Sequence, residues 1–445
     1  MKVLYISPPF SQLSQKSKGM PIAPPVLEYL AALTLRVDPG IEVEILDAQR
    51  EHLDVSAVNA DLVGISVMTV QAPWAYRTAD ALRERGIKVV LGGIHVTVLP
   101  DEAGPHADAM VLGECEEVLG DLLFDAREGK LKSIYKGGLP ELSGMPHPVS
   151  SLWNTKYVFG YFQTARGCPH NCAFCSVHKF FGNRVRLRPI DEVVAELAAS
   201  KRRLFWCIDD NAWGVNIQRS IDLFHEMRGV MRGKWWFGSG DIRTVQMSKG
   251  EDLLKSAQRA GLSAMMLGWE SNNPVSLDEY RARNKQGEDR RSAIKKIRDH
   301  GIDVMLFVVV GGRNDTKKDF DDLLNLCDEL KVSAHPVMLT PLPGTELFEQ
   351  YREYLIEGLD WDFYDGNHAV FNHPVMSSIE LEEAFVDLRT ELFRLGSIFK
   401  RLPQVSMKGF PISHIFSWML QYPQGNAFKA YAREWKEKYR DSTRS

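Results

Sequence analysis

The sequence predicts an α/β protein. A doubly wound parallel sheet comes first, then a partial barrel of six βα units, then a mainly helical C-terminal region. Three observations predict this. Short apolar runs alternate with amphipathic helical patterns, the mark of βαβ units and parallel strands. The alternation halts once, in a Gly/Pro/Ser-rich stretch, and then resumes. The last part of the chain carries helical patterns with no strands between them.

KVLYIS reads as a buried strand, and residues 25–36 (PVLEYLAALTLR) as an amphipathic helix with Pro at its start. EVEILDA and DLVGISVM are the second and third strands. WAYRTADALRERG is a helix stopped by glycine, KVVLGG and ADAMVLG are strands four and five, and a helix follows in EEVLGDLLFDAREG. This reads as a Rossmann-like domain over residues 1–135. Ligands of such sheets lie beyond the carboxyl ends of the strands. Those ends carry Ser66 and Thr69 after strand three, and Gly92, Gly93, His95 and Thr97 after strand four. Gly113, Glu114 and Glu117 follow strand five. Glycines at such places also serve simply to end strands.

KGGLPELSGMPHPVSSLW lacks periodicity, and residues 136–155 read as a linker. A second series occupies 156–350. Its strands are YFQTARG, RLFWCIDDN, KWWFGSG, LSAMMLGWES, DVMLFVVVGG and SAHPVMLTPLPG. Helical patterns separate them, such as IDEVVAELAAS and RRSAIKKIRDHG. Six units are fewer than the eight of a complete TIM-type barrel, so a partial (β/α)6 barrel is expected. Residues 351–445 read as helical, with IELEEAFVDLRTELFRLGSIFKRL as one long pattern.

The chain has 445 residues, 44% of them hydrophobic and 25% charged, which is ordinary for a globular protein. Its net charge of -4 gives no reason to expect nucleic acid as a partner. The N-terminus has only a short apolar run before a Pro-Pro pair, so no signal peptide is expected. No stretch approaches the roughly 20 apolar residues of a membrane span, and the expected location is the cytoplasm. Six cysteines in so long a chain do not make a disulfide framework; clustered ones point to metal or redox chemistry.

Three of the six lie in RGCPHNCAFCSVHKFFG: Cys168, Cys172 and Cys175, at C-x3-C-x2-C spacing. Cys115, Cys207 and Cys327 stand apart and read as small buried hydrophobes. Structural zinc wants four ligands, and His170 or His178 could in principle complete a set. His170, however, sits between two of the cysteines, where one short loop cannot easily wrap four ligands round one ion. Three thiolates can instead hold three irons of a [4Fe-4S] cubane and leave the fourth open to another ligand.

The loop resembles the signature of the radical S-adenosyl-L-methionine (SAM) superfamily. Phe174 precedes the third cysteine, and the loop follows the first strand of a six-unit series. The N-terminal part resembles the cobalamin-binding domain of one subfamily, in PPF, ILDA, VGISVMT, VVLGGIHVTVLPDEA and ADAMVLGECEEVL. Later text is similar as well, in IDDNAWG, LGWESNN and TPLPGTELF.

The resemblance implies that SAM chelates the open iron and is cleaved to methionine and a 5′-deoxyadenosyl radical. In cobalamin-dependent members, methylcobalamin then methylates the carbon radical that results. It implies that Cys168, Cys172 and Cys175 ligate the cluster and that Phe174 packs near the SAM adenine. Asp209, Asp210 and Asn211 take the place of the methionine-binding motif, where carboxylates can pair with the SAM ammonium; Asn211 also suits a plain helix N-cap. Glu270 and Ser271 would contact SAM ribose or carboxylate, and Gly311, Gly312 and Pro341 to Gly344 line later strand ends. Implied cobalamin contacts are Ser66, Thr69, Gly92, Gly93, Thr97, Gly113 and Glu117. The D-x-H-x-x-G run whose His ligates cobalt is absent, as is common in this subfamily.

The implied reaction is methylation of an unactivated carbon in a natural-product, tetrapyrrole or lipid precursor. The electron donor would be a flavodoxin or ferredoxin. A radical cyclase, coupling or rearrangement enzyme is the alternative, and a non-catalytic iron–sulfur or zinc protein is the rival from another class. WDFYDGNHAVFNHPVM (361–376) reads either as a closure of the active site or as a packed loop. GFPISHIFSWMLQYP (409–423) reads as core, as the wall of a hydrophobic pocket, or as a membrane-surface segment.

Overall fold

The computed structural model describes residues 1–10, 22–153, 157–213, 216–282, 289–401, 435 and 437. Its first sheet contains β1 (Lys2–Ser7), β2 (Glu42–Asp47), β3 (Leu62–Ser66), β4 (Lys88–Gly92), β5 (Ala109–Leu112) and β6 (Ile134–Lys136). All six are parallel, in the order β2-β1-β3-β4-β5-β6. Alternate residues of β1 point to opposite faces. Val3 and Tyr5 pack with Leu27 and Ala31 of helix Pro25–Val37, whereas Leu4 and Ile6 pack with Ala75, Ala79 and Leu82 of helix Ala72–Glu84. The sheet is therefore covered on both faces, as its near-continuous apolar strands require. The strand order reverses between β1 and β3, which opens a crevice at their carboxyl ends.

A sixth strand, β6, precedes the linker expected from residue 136 and reaches one residue into it. Its three residues are too short for a visible pattern, yet they pair with β5 and finish the sheet.

The second sheet contains β7 (Phe159–Phe162), then β10 (Leu204–Cys207), β11 (Trp235–Gly240), β12 (Leu262–Glu270), β13 (Asp303–Val310) and β14 (Ser333–Met338). They run parallel in the order β14-β13-β12-β11-β10-β7, with β14 and β7 at the two ends, so the barrel is open. YFQTARG is not one strand. It divides into β7 and β8 (Ala165–Arg166), and β8 pairs antiparallel with β9 (Arg186–Leu187). The break falls at Thr164, whose backbone N–H and hydroxyl both donate to Asp209.

Helices such as Ile190–Ala199, Ile217–Val230 and Gly250–Arg259 cover one face of this sheet, in the cluster that includes Phe205, Trp236, Met265 and Leu306. The other face carries Phe159, Phe237, Ala264, Met266 and Met305, with Trp206 and Phe307 partly exposed beside them.

The long C-terminal helical pattern is broken into Ser378–Leu392 and Leu395–Arg401. Residues 409–423 lie outside the described residues, so their expected role is not placed. Trp435 is buried and donates to the Ala369 carbonyl at 2.8 Å.

Candidate active site and cofactor edges

The carboxyl edges of the two sheets meet. A Cβ on Gly344, beyond β14, would come within 2.7 Å of Val98, beyond β4. Arg166, just before the cysteine loop, donates to Glu114, just beyond β5, at 2.5 Å. The segment Trp361–Phe363 packs against Thr69–Gln71, beyond β3. Sites built at either edge therefore lie on adjoining elements.

The cysteine loop leaves β8 through Gly167, whose φ of +90° suits only glycine, and whose N–H donates to Asp210 at 3.0 Å. Cys172 is buried, Cys168 and Cys175 are half-buried, and no disulfide joins the cysteines among the described residues. Ala173 N–H donates to the Tyr280 carbonyl at 2.9 Å, and Phe174 stands edge-on to the Tyr280 ring at 5.7 Å. Among the described residues no three His, Cys, Asp or Glu side chains gather round a point as ligands of one metal ion. A cubane makes no such demand, because each thiolate takes its own iron. The donor set fits a cluster.

Asp209 and Asp210 are not equivalent. Asp209 is buried, and both of its oxygens are occupied by Thr164, at 2.7 Å from the N–H and 2.5 Å from the hydroxyl. Burial pushes its carboxyl up to about 6. Burial also raises Asp210, against the Gly167 N–H and the Arg166 charge. Asn211 donates to Asp241 at 3.0 Å, while its buried Oδ1 has no hydrogen-bond partner. An orphan acceptor at a strand end is what a bound ammonium would satisfy, so this position fits SAM. Asp241 also meets His170 Nε2 at 3.2 Å and accepts twice from Thr244 at 2.8 Å. His170 thus links the cysteine loop to Asp241.

Glu270 ends β12 with φ +62° at a shift of register against β13. A non-glycine residue here is strained, and strain of this kind gathers at functional sites. Ser271 Oγ accepts from the Asn273 N–H at 3.0 Å. Arg290 lies over the Trp269 ring at 3.8 Å and donates to the Trp269 and Ser271 carbonyls at 3.0 and 3.2 Å. Gly311 has φ +76°, and a Cβ on Gly312 would reach within 2.0 Å of the Tyr280 hydroxyl. His373 donates to the Gly312 carbonyl at 2.7 Å, so the 361–376 segment closes over this strand end.

At the first sheet, Ser66 pairs with Gly92 across β3 and β4. A Cβ on Gly93 would lie 2.7 Å from the Val67 backbone, and the φ of Gly93 is +100°. Thr97 donates to the Gly93 carbonyl at 2.9 Å and accepts from the Gly113 N–H at 3.0 Å. Gln71 ties the loops beyond β1 and β3, donating to the Pro8 carbonyl at 2.8 Å and accepting from the Met68 N–H at 2.9 Å. Thr69 is buried and Glu117 exposed. Phe10, beyond β1, and Met68, beyond β3, stand 46% and 43% exposed. His95 points elsewhere: it is fully buried, with Nε2 at 3.0 Å from Tyr76 and 3.1 Å from Glu102.

Cys207 and Cys327 are buried as expected, whereas Cys115 is only half-buried; desolvation pushes the thiols of Cys115 and Cys327 up to about 12. Such thiols are unreactive near neutral pH. Sequence reasoning did not select Arg166, Arg186 or Asp241, and it took in Trp361 only as the first residue of the 361–376 segment. A pair of arginines bracketing the cysteine loop was the one visible signal.

Fold and site together define an enzyme that sets a three-thiolate cluster on a partial barrel against a cofactor-binding domain. Residues 162–327 match the Radical SAM superfamily and residues 20–123 the B12 binding domain; the chain carries a radical SAM domain preceded by a B12-binding domain. These domains imply a [4Fe-4S] cluster, SAM and cobalamin. The bacteriochlorophyllide d C-12(1)-methyltransferase of Chlorobaculum tepidum is 29% identical over 377 residues, covering 81% of this chain and 79% of that one. The anaerobic magnesium-protoporphyrin IX monomethyl ester cyclase of Rubrivivax gelatinosus is 26% identical, covering 86% and 75%. The radical SAM methyltransferase TsrM of Kitasatospora setae, solved with tryptophan and a SAM analogue, has the same fold. Its TM-score is 0.68 at 16% identity, over 98% of this chain and 99% of that one.

Proposed function

We propose that this enzyme methylates an unactivated carbon of a hydrophobic natural-product, tetrapyrrole or lipid precursor. The observation that carries this reading is the meeting of the two carboxyl edges through Gly344 with Val98 and Arg166 with Glu114. A methyl donor held beyond β3 and β4 and a radical source held beyond β8 would then face one substrate. When bound, the cluster and SAM supply reductive cleavage and hydrogen abstraction, and cobalamin supplies the methyl group.

The chain's own residues bind, orient and seal. Cys168, Cys172 and Cys175 hold the cluster, and Phe174 packs near the SAM adenine. Asn211 Oδ1 accepts from the SAM ammonium, Asp210 adds negative charge there, and Asp209 keeps Thr164 in place. Glu270 and Ser271 face SAM, and Gly311 and Gly312 leave room at the next strand end. Ser66, Thr69, Gly92, Gly93, Thr97, Gly113 and Glu117 shape the cobalamin edge. The 361–376 segment excludes water, supported by His373 on Gly312. The sheet face bearing Phe237, Met266, Trp206 and Phe307 favours an apolar substrate. A flavodoxin or ferredoxin delivers the electron, in the cytoplasm; among the described residues no helix is long and apolar enough to cross a membrane.

The test is anaerobic reconstitution with cobalamin and methyl-labelled SAM, supplied with tetrapyrrole and polyprenoid candidates. Bound cobalamin, 5′-deoxyadenosine, S-adenosylhomocysteine and labelled product are expected. Deoxyadenosine with neither homocysteine nor bound cobalamin would replace methyl transfer by cyclisation, coupling or rearrangement, the reading favoured by the likeness to the Rubrivivax cyclase.

A further inference from the structure

The cysteine loop is an excursion between β8 and β9, whose pairing sets Arg166 directly opposite Arg186. Like charges facing each other across a ribbon repel. Both arginines are buried, at 7% and 3% exposure, where water cannot screen them. The neutralising charge comes from the other domain. Glu114, 4% exposed, accepts from Arg166 at 2.5 Å and from Arg186 at 3.0 Å on Oε2, and its Oε1 takes a second bond from Arg186. Glu116 accepts a further bond from Arg166. Arg166 Nε also donates to the Gln163 side chain at 2.9 Å and Arg186 to the Pro140 carbonyl at 2.6 Å, while the buried Nε of Arg186 has no hydrogen-bond partner. Without Glu114, Glu116 would be the one carboxylate still bonded to the two buried guanidiniums, with Asp210 acting only on Arg166 and through space, and an under-compensated buried charge is strongly destabilising.

We infer that Glu114 is a positioning residue for the iron–sulfur loop. The B12-binding domain supplies the charge that closes the base of the loop, so the cluster site is complete only while the two domains are docked. This rests on the assignment of the three cysteines to a cluster.

The test uses the full chain, reconstituted anaerobically, as wild type, Glu114→Gln and Glu114→Gln/Arg186→Met. Iron and sulfide content and the rate of iron release to a chelator are measured, with circular dichroism as the check on folding. Glu114→Gln is expected to release iron about tenfold faster with an unchanged fold. Removing Arg186 in that background relieves the repulsion and should bring release to within about twofold of wild type. Release from Glu114→Gln at the wild-type rate, or a double variant as labile as the single one, overturns the inference. Should Glu114→Gln fail to fold, the double variant decides: retained iron supports the role, and labile iron or failure to fold refutes it. Wild type that takes up no iron would instead remove the cluster assignment.

Discussion

Trp361 donates its indole N–H to both carboxylate oxygens of Glu102, at 3.0 and 3.2 Å, across 259 residues of sequence. Glu102 also accepts from Tyr76 at 3.1 Å and meets His95 Nε2 at the same distance. This cluster pins the C-terminal region to the flank of the first domain.

Trp361→Phe should weaken that attachment by about 1 kcal/mol, the usual worth of a partly exposed hydrogen bond to a charged group. Burial pushes Glu102 up, but its donors outweigh burial and hold it below the usual glutamate range. Its contribution is therefore present above the unfolded pKa and lost as pH falls through the lowered folded one. Urea unfolding at pH 7 and pH 3.5 checks both points. Equal losses at the two pH values would mean that Glu102 is not the partner that matters.

Asp209 behaves in the opposite sense. Its pKa of about 6 lies above the unfolded value of about 3.9, so its share of stability is full below pH 4 and lost as pH rises through 6. Asp209→Asn should flatten the stability profile across that window. Asp209→Ala should cost about 1–3 kcal/mol by stranding the Thr164 donors. Denaturant midpoints from pH 4 to pH 7.5 report both effects.

Glu270 separates strain from chemistry. Glu270→Gly should relieve about 1 kcal/mol of left-handed backbone strain at φ +62° and still lower deoxyadenosine formation. Glu270→Gln keeps the strain and should lower the same rate at unchanged stability. Thermal midpoints and single-turnover SAM cleavage measure the two effects; wild-type cleavage in both variants would leave Glu270 without a role in the site.

Much of the fold was legible in the sequence because it follows from local periodicity. Parallel strands buried on both faces read as short apolar runs, such as KVLYIS and DVMLFVVV, and intervening helices show their own spacing. The three cysteines were legible because a cluster loop places its ligands close together in sequence. What failed was short or conditional on distant partners. β6 has too few residues to show a pattern, and the division at Thr164 depends on Asp209, 45 residues away.

The sequence by itself determined the two domain types, the strand ends that carry the candidate ligands, and the three-cysteine loop. These depend on periods of a few residues and on spacing along the chain. Only the tertiary structure decided that Asp209 is taken by Thr164, that His170 braces Asp241, and that Glu114 neutralises Arg166 and Arg186. Those assignments depend on which charges share a buried volume, over separations of 45 to 72 residues that no local pattern records.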